Sequence, residues 1–135
     1  MSKKKGTRWE RQLFNLLWEH FGPCLRSAGS GCTPKPSPDL LASNGKRILA
    51  IECKNNKKEV IYLTQKEIFE LNLFAKNFNA EPWLAIKFDN KGWYFIQSEK
   101  INQSKGESFR VSLDDLKKEG LVFDEFIGKY KQQKL

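Results

Sequence analysis

The sequence predicts an α/β fold in which a mixed central β-sheet is flanked by helices. An amphipathic segment opens the chain, two apolar runs meet at Asn44-Gly45, and a second helical segment precedes two further apolar runs. This order of helix, strands, helix and strands is typical of α/β proteins. The 135 residues fit one core, so we expect a single domain over residues 1–135, with a basic arm at 1–5 and a basic tail at 129–135.

The first helix is predicted over residues 7–21, ended by Gly22-Pro23. At 100° per residue, one face carries Leu13, Phe14, Leu17 and Phe21. Glu10 lies in the middle of the same arc. A carboxylate within an apolar face is costly unless something pairs with it, although the helix macrodipole also favours Glu near a helix start. Glu10 is therefore a candidate functional acid.

A short strand at 24–28 and a stiff loop containing Pro34, Pro36 and Pro38 are expected next. They lead into residues 39–54, where Asn44-Gly45 predicts a two-residue type I′ turn that pairs Asp39 with Ala50. Paired residues share a face and side chains alternate along a strand. Three charged side chains would then project from the same face: Asp39, Glu52 and Lys54. Asp39 would lie diagonal to Glu52.

A capping box at Thr64-Gln65-Lys66-Glu67 predicts a helix to about residue 77. Its expected core stripe is Ile68, Leu71, Ala75 and Phe78, with Phe74 at the margin. Phe69 and Leu73 lie on the opposite side, which predicts a helix buried on two faces or contacting a partner. Strands are predicted at 83–88 and 93–97, joined by a turn at 89–92, and one or two short helices around Gly120 within 111–130.

Charge favours a polyanionic partner. Lys and Arg number 24 against 16 Asp and Glu, a net charge of +8 with a pI of about 9.4. A merely solubilising surface gives the same balance, but the cations cluster near the candidate acids. The candidate DNA contacts are Lys4, Lys5, Arg8, Arg11, Arg26, Lys57 and Lys58.

The chain contains no apolar run long enough to cross a membrane and no hydrophobic segment after its basic start, so we expect a cytoplasmic protein without a signal peptide. Cys24, Cys32 and Cys53 cannot all pair, and free thiols are expected. A zinc site formed by Cys24, Cys32 and His20 lacks a recognisable ligand spacing.

The acids suit phosphodiester hydrolysis, in which a divalent cation neutralises the phosphate and acidifies the attacking water. Mg²⁺ takes oxygen ligands, usually one or two carboxylates with waters. Asp39 and Glu52 would supply two, Glu10 a third directly or through water, and the backbone carbonyl of Cys53 another. Lys54 would orient the water or stabilise the transition state. An isolated E-x-K is more often a half-exposed strand with an ion pair, but the acid across the turn favours the metal site.

Pro38-Asp39 followed by Glu52-Cys53-Lys54, with a glutamate on the preceding helix, resembles the PD-(D/E)xK nuclease superfamily. Residues 6–11, 25–30, 39–54 and 92–95 resemble more closely the archaeal-type Holliday junction resolvases, over about residues 5–97. The resemblance implies a restriction-endonuclease-like fold with a catalytic core of Asp39, Glu52 and Lys54.

The same resemblance implies further roles. Glu10 would be a metal-site acid, Arg11 and Arg26 would act in junction binding or cleavage, and Ser30 would lie in a catalytic loop. Phe74 and Phe78 would form a dimer contact, whereas the helical wheel nominates Phe69 and Leu73 as the exposed pair, and both pairs stay open.

The implied function is resolution of four-way junctions during recombination or repair. A C2 homodimer with Mg²⁺, or Mn²⁺ in its place, would nick two strands symmetrically, in association with the nucleoid. One alternative is a restriction or repair nuclease of the same superfamily, which would cut linear duplex as well as a junction. The other is a non-catalytic DNA-binding module, which would bind DNA equally with or without Mg²⁺ and never nick it.

Overall fold

The structure is a computed structural model that describes residues 3–27, 35–101 and 108–128. The helices in these ranges are α1 (Lys3–His20), α2 (Gln65–Asn77), α3 (Leu113–Glu119) and α4 (Phe123–Phe126), with a 3₁₀ helix at Ser98–Lys100. The strands are β1 (Cys24–Arg26), β2 (Leu40–Ser43), β3 (Ile48–Asn56), β4 (Val60–Thr64), β5 (Glu81–Phe88), β6 (Trp93–Gln97) and β7 (Ser108–Ser112). No helix in the described part of the chain is long and apolar enough to cross a bilayer.

Five strands form a mixed sheet in the order β1-β2-β3-β5-β6. Only β3 and β5 run parallel within it, and the crossover between them contains β4 and α2. β4 leaves this sheet and pairs with β7 in a separate two-stranded antiparallel sheet. The predicted α/β class with a mixed, helix-flanked sheet is confirmed, whereas β4 and β7 were not predicted.

Helices cover both faces of the five-stranded sheet, so its central strands are buried on both sides. On the α2 face the core includes Ala50, Ile68, Leu71, Leu84 and Ile86. On the α1 face it includes Leu13, Leu17, Leu49, Ile51 and Phe95. A central strand buried on both faces is uniformly apolar until it leaves the core. Charged side chains on β3 can therefore begin only at its carboxyl end.

Helix α1 begins at Lys3, so Lys3, Lys4 and Lys5 of the expected basic arm are helical. It ends at His20, and Gly22 beyond it packs against the β2–β3 hairpin. A Cβ atom at Gly22 would lie 2.2 Å from the carbonyl oxygen of Ser43, so only glycine allows this close approach.

The β2–β3 hairpin differs from the prediction by two residues. Ser43 pairs with Ile48 and Leu41 with Ala50, so the expected pairing of Asp39 with Ala50 is wrong. Because the side-chain period of a strand is two residues, a shift of two leaves every side chain on its predicted face.

The hairpin loop accordingly spans residues 44–47, longer than the type I′ turn that Asn44-Gly45 suggested. The side-chain oxygen of Asn44 accepts hydrogen bonds from the backbone N–H groups of Lys46 and Arg47, at 2.9 and 2.8 Å. The Arg47 guanidinium donates two 2.8 Å bonds to Glu81 on β5. A two-residue turn would lack these side-chain hydrogen bonds. The bonds of Asn44 and Arg47 therefore set the loop length.

Helix α2 follows its prediction at the start and departs from it at the end. Thr64 and Glu67 form the reciprocal capping box, and Ile68, Leu71 and Ala75 are buried. Phe78 is the C-cap residue and is 48% exposed, so its predicted core position is wrong. The helical wheel fails there because the helix ends at Asn77. The two short helices expected around Gly120 are present as α3 and α4.

Candidate active site

Asp39 and Glu52 meet where β2 begins and β3 leaves the core. Leu40 pairs with Ile51, and extending this register by one residue places Asp39 opposite Glu52, closer than the diagonal that was predicted. Both belong to the α2 face by alternation with Leu41 and Ala50. The Asp39 carboxylate also accepts a 2.8 Å hydrogen bond from the backbone N–H of Cys53. The acidic pair is thus held by the backbones of two neighbouring strands.

Burial perturbs both carboxyl groups. It raises the pKa of Asp39 to about 6, with the Cys53 hydrogen bond opposing the shift and the charge of Glu10 adding to it. Burial also raises the pKa of Glu52 to about 8, and the negative charge of Asp39 contributes next. Two neighbouring half-buried carboxyl groups that resist ionisation create a site at which a bound cation would be stabilising.

The donor set at this pair fits a hard divalent cation. In a strand the N–H and C=O of one residue point to the same side, so the carbonyl of Cys53 points towards Asp39, as its N–H does. Two carboxylates with a carbonyl leave room for the waters that Mg²⁺ retains. Within residues 3–27, 35–101 and 108–128, no three His, Cys, Asp or Glu side chains lie close enough together to hold a metal ion, so Glu10 does not form such a group with Asp39 and Glu52. Cys24 and Cys53 are free thiols, and Cys32 lies outside the described residues.

Lys54 follows Glu52 on the same face of β3, but its ammonium contacts neither carboxylate of the pair in a salt bridge among the described residues. It is bound to Oε2 of Glu67, the capping-box acid of α2. Burial raises the pKa of Glu67, but hydrogen bonds from Lys54 and Thr64 outweigh it and leave the pKa below its usual value. The sequence marked Glu67 only as a helix cap, because nothing local indicates that α2 begins beside Lys54.

Glu10 lies on α1, which covers the opposite face of the sheet. Its carboxylate accepts hydrogen bonds from Arg26 at 3.2 and 3.4 Å, and both side chains are half-buried. The charge of Glu10 nevertheless raises the pKa of Asp39 and of Glu52. Glu10 is therefore near the acidic pair, and its carboxylate forms an ion pair with Arg26. Its role as a metal ligand stays a prediction.

Exposed cations gather around the same end of the sheet. Arg8 and Arg11 are exposed on α1, and the Arg8 guanidinium lies 4.6 Å above the Trp9 ring. Lys57 and Lys58 are exposed in the β3–β4 turn. A Cβ at Gly6 would lie 3.8 Å from the Asn55 side chain, so the start of α1 adjoins the end of β3. The side chains of Lys4 and Lys5, and the whole of Ser30, lie outside the described residues.

An apolar groove lies on the outer side of α2. Leu73, Phe74 and Phe78 line it together with Pro36, and the two phenylalanine rings stack with centroids 5.2 Å apart. Phe69 is 64% exposed but does not line the groove. The structure thus groups Leu73 with Phe74 and Phe78, which matches neither expected pair alone.

Comparison with known proteins identifies the family. A family model described as archaeal Holliday junction resolvase (Hjc) matches residues 1–135. Crossover junction endodeoxyribonuclease Hjc of Archaeoglobus fulgidus is 37% identical over 132 residues, which cover 98% of this chain and 96% of that protein. The Methanocaldococcus jannaschii protein of the same name is 32% identical over 132 residues, covering 98% and 93%. A 1.6 Å structure of A. fulgidus Hjc, described as a Holliday junction resolvase, superimposes with a TM-score of 0.84 at 35% identity, covering 91% of this chain and all of that one. The chain belongs to the archaeal Holliday junction resolvase (Hjc) family.

Proposed function

We propose that this member of the family is a Mg²⁺-dependent endonuclease that cuts four-way DNA junctions by paired symmetric nicks, with Mn²⁺ able to replace Mg²⁺. The observation that carries the proposal is the half-buried pair of Asp39 and Glu52, which face each other on two neighbouring strands with Lys54 on the same face. Relatives named crossover junction endodeoxyribonucleases support the substrate. We expect the enzyme to act at the nucleoid, during recombination or repair.

In this mechanism Asp39, Glu52 and the Cys53 carbonyl would hold the cation, and Glu10 would assist directly or through water. A divalent cation supplies charge neutralisation on the phosphate and lowers the pKa of the attacking water. Lys54 donates a hydrogen bond to a phosphate oxygen and stabilises the pentavalent transition state. Water attacks phosphorus, the P–O3′ bond breaks, and the departing oxygen takes a proton. The products are nicked duplexes with 5′-phosphate and 3′-hydroxyl ends.

Paired nicking requires two active sites related by symmetry. A four-way junction is nearly two-fold symmetric, and a C2 homodimer places identical sites on strands of equal polarity. The groove formed by Leu73, Phe74, Phe78 and Pro36 is an exposed apolar surface of the kind that marks protein interfaces. We assign the dimer contact to this groove, with Phe69 outside it.

DNA selection follows from shape and charge. The exposed cations Arg8 and Arg11 lie on α1, whose start adjoins the end of β3, and Lys57 and Lys58 follow that end of β3 directly. Phosphate contacts of this kind position a protein without reading bases, so preference for the junction would come from its geometry. Arg26 reaches DNA in this scheme only if it leaves Glu10.

The test is cleavage of a labelled four-way junction and of its component linear duplex, each with and without Mg²⁺. We expect cutting of the junction alone, with Mg²⁺, and loss of cutting but not of junction binding in Glu52→Gln. Equal cutting of the duplex would favour a restriction or repair nuclease. Metal-independent binding without nicking would favour a non-catalytic module.

A further inference from the structure

We propose that Glu67 is a positioning residue that holds the Lys54 ammonium beside the Asp39–Glu52 pair and prevents it from forming an ion pair with those carboxylates. The inference rests on the proposed function, because it concerns the geometry of the same site. Glu67 would not touch substrate, and its effect on cleavage would pass through Lys54.

The two oxygens of the Glu67 carboxylate have separate partners. Oε1 accepts a 2.9 Å hydrogen bond from the backbone N–H of Thr64, and Oε2 binds Lys54. The Glu67 N–H donates a 3.0 Å bond to the Thr64 hydroxyl in return, which completes the capping box. The carboxylate that receives Lys54 is therefore fixed to a helix terminus, so it is a more rigid anchor than an ordinary surface glutamate.

Rigidity matters because other carboxylates lie close to Lys54. Glu52 is two residues away on the same face of β3, and the charge of Lys54 acts on the carboxyl groups of both Asp39 and Glu52. An ammonium released from Glu67 would have these two carboxylates among its possible anionic partners. It would then compete with a divalent cation for them and leave the position from which it reaches a phosphate. Glu67 removes that competition without removing the positive charge from the site.

A pocket adjoins both the acidic pair and the residue that binds Lys54. Glu52 and Glu67 both line it, along with Pro36, Ser37, Pro38, Glu70 and Leu71. The metal-site acid and the anchor of Lys54 therefore contribute to the lining of one pocket.

The experiment compares three variants by single-turnover junction cleavage at saturating protein. Glu67→Gln removes the charge facing Lys54 but keeps a residue that completes a capping box, since Gln serves at this position. Thr64→Ala removes the hydroxyl that caps α2 but keeps the charge of Glu67 and the backbone N–H that fixes its Oε1. Asp115→Asn makes a matched change in the capping box of α3, where Asp115 pairs with Ser112.

We expect Glu67→Gln alone to slow cleavage, by roughly 10- to 100-fold, as a displaced catalytic group does. The Mg²⁺ concentration that gives half-maximal cleavage should be higher for Glu67→Gln than for the wild type. The variant's affinity for the junction without metal and its Tm should match those of Asp115→Asn. Thr64→Ala should lower Tm and leave the cleavage rate within about twofold of wild type, because a lost N-cap costs only about 1 kcal/mol of stability.

A wild-type rate in Glu67→Gln would overturn the inference, as would equal slowing in Thr64→Ala, because the cap and not the charge would then matter. Adding Glu67→Gln to Lys54→Gln should cause no further loss, and additive losses would also count against it. The proposed function fails separately: if Lys54→Gln itself cuts junctions at the wild-type rate, the active-site assignment is wrong whatever Glu67 does.

Discussion

The backbone N–H of Cys53 donates a 2.8 Å hydrogen bond to Oδ2 of Asp39. Asp39 immediately precedes β2 and Cys53 follows Glu52 in β3, so this bond joins the two chain segments at the point where their acids meet. The arrangement separates two properties of Asp39: any oxygen at this position can accept the bond, but only a carboxylate supplies negative charge.

Asp39→Asn should therefore keep the fold and lose the activity. Its amide oxygen can accept from Cys53, so we expect Tm and junction affinity close to those of wild type. Cleavage should fall by roughly 10³-fold or more, because several kcal/mol of transition-state stabilisation disappear with the metal ligand. Gel assays of cleavage and binding measure the two properties independently.

Asp39→Ala is the matched comparison, because it removes the acceptor as well as the charge. It should be inactive and should melt below Asp39→Asn, since an unsatisfied buried N–H costs about 1–3 kcal/mol. Wild-type cutting by either variant would remove Asp39 from the site.

The stability of the metal-free protein should fall as pH rises. The folded-state pKa of Glu52 is raised from its usual 4.5 to about 8, and that of Asp39 from 3.8 to about 6. Between these limits the folded state binds more protons than the unfolded state, so unfolding becomes easier with increasing pH. We expect Tm in EDTA to decline between pH 5 and 8, and Mg²⁺ to restore it at pH 8.

The double variant Asp39→Asn, Glu52→Gln provides the control for this measurement. Its Tm should exceed that of the wild type at pH 8 in EDTA and should show little response to Mg²⁺. Parallel pH curves for the two proteins would mean that these carboxyl groups are not the source of the effect.

Arg11→Ala should weaken junction binding with a characteristic salt signature. Loss of one phosphate contact lowers the slope of log affinity against log salt concentration by about 1, equally for different junction sequences. Fluorescence anisotropy over a range of salt concentrations measures the slope. Lys117→Ala, which removes an exposed cation from α3, should leave it unchanged. Equal slopes for all three proteins would exclude Arg11 from the interface.

Phe78→Glu should dissociate the proposed homodimer. The change places a charge in the groove that Phe78 lines with Leu73 and Phe74. Sedimentation should give a monomer mass, and paired nicks should become independent single nicks. Phe69→Glu makes the same change on the exposed surface outside the groove and should leave a dimer. A monomeric Phe69→Glu and a dimeric Phe78→Glu would instead place the dimer contact on the side of α2 that carries Phe69.

The sequence was sufficient to predict that Asp39, Glu52 and Lys54 share one face of the hairpin, because that conclusion depends only on strand periodicity. It was not sufficient to predict their pairing, which the side chains of Asn44 and Arg47 set through contacts with the loop and with Glu81. Strand periodicity is local information. The pairing of β2 with β3 also depends on Glu81, which lies in a strand far along the chain.

The strands β4 and β7 illustrate the same limit. Their segments alternate between buried and exposed side chains, with Ile61, Leu63 and Val111 buried and Tyr62 and Arg110 exposed. That alternation was available in the sequence as a strand signal. Their mutual pairing spans more than forty residues and left no local signal. The contact of Glu67 with Lys54 was not predicted for a related reason, because the capping role of Glu67 already explained a glutamate at this position.

Strand β3 carries Leu49 and Ile51 on one side and Ala50, Glu52 and Lys54 on the other. A register shift of one residue would place the charged side chains of β3 in the apolar core and expose its aliphatic side chains to water. A form of this hairpin misaligned by one residue therefore cannot persist as a well-folded but inert competitor. Selection for a stable protein is, at this strand, also selection for an aligned set of reactive groups.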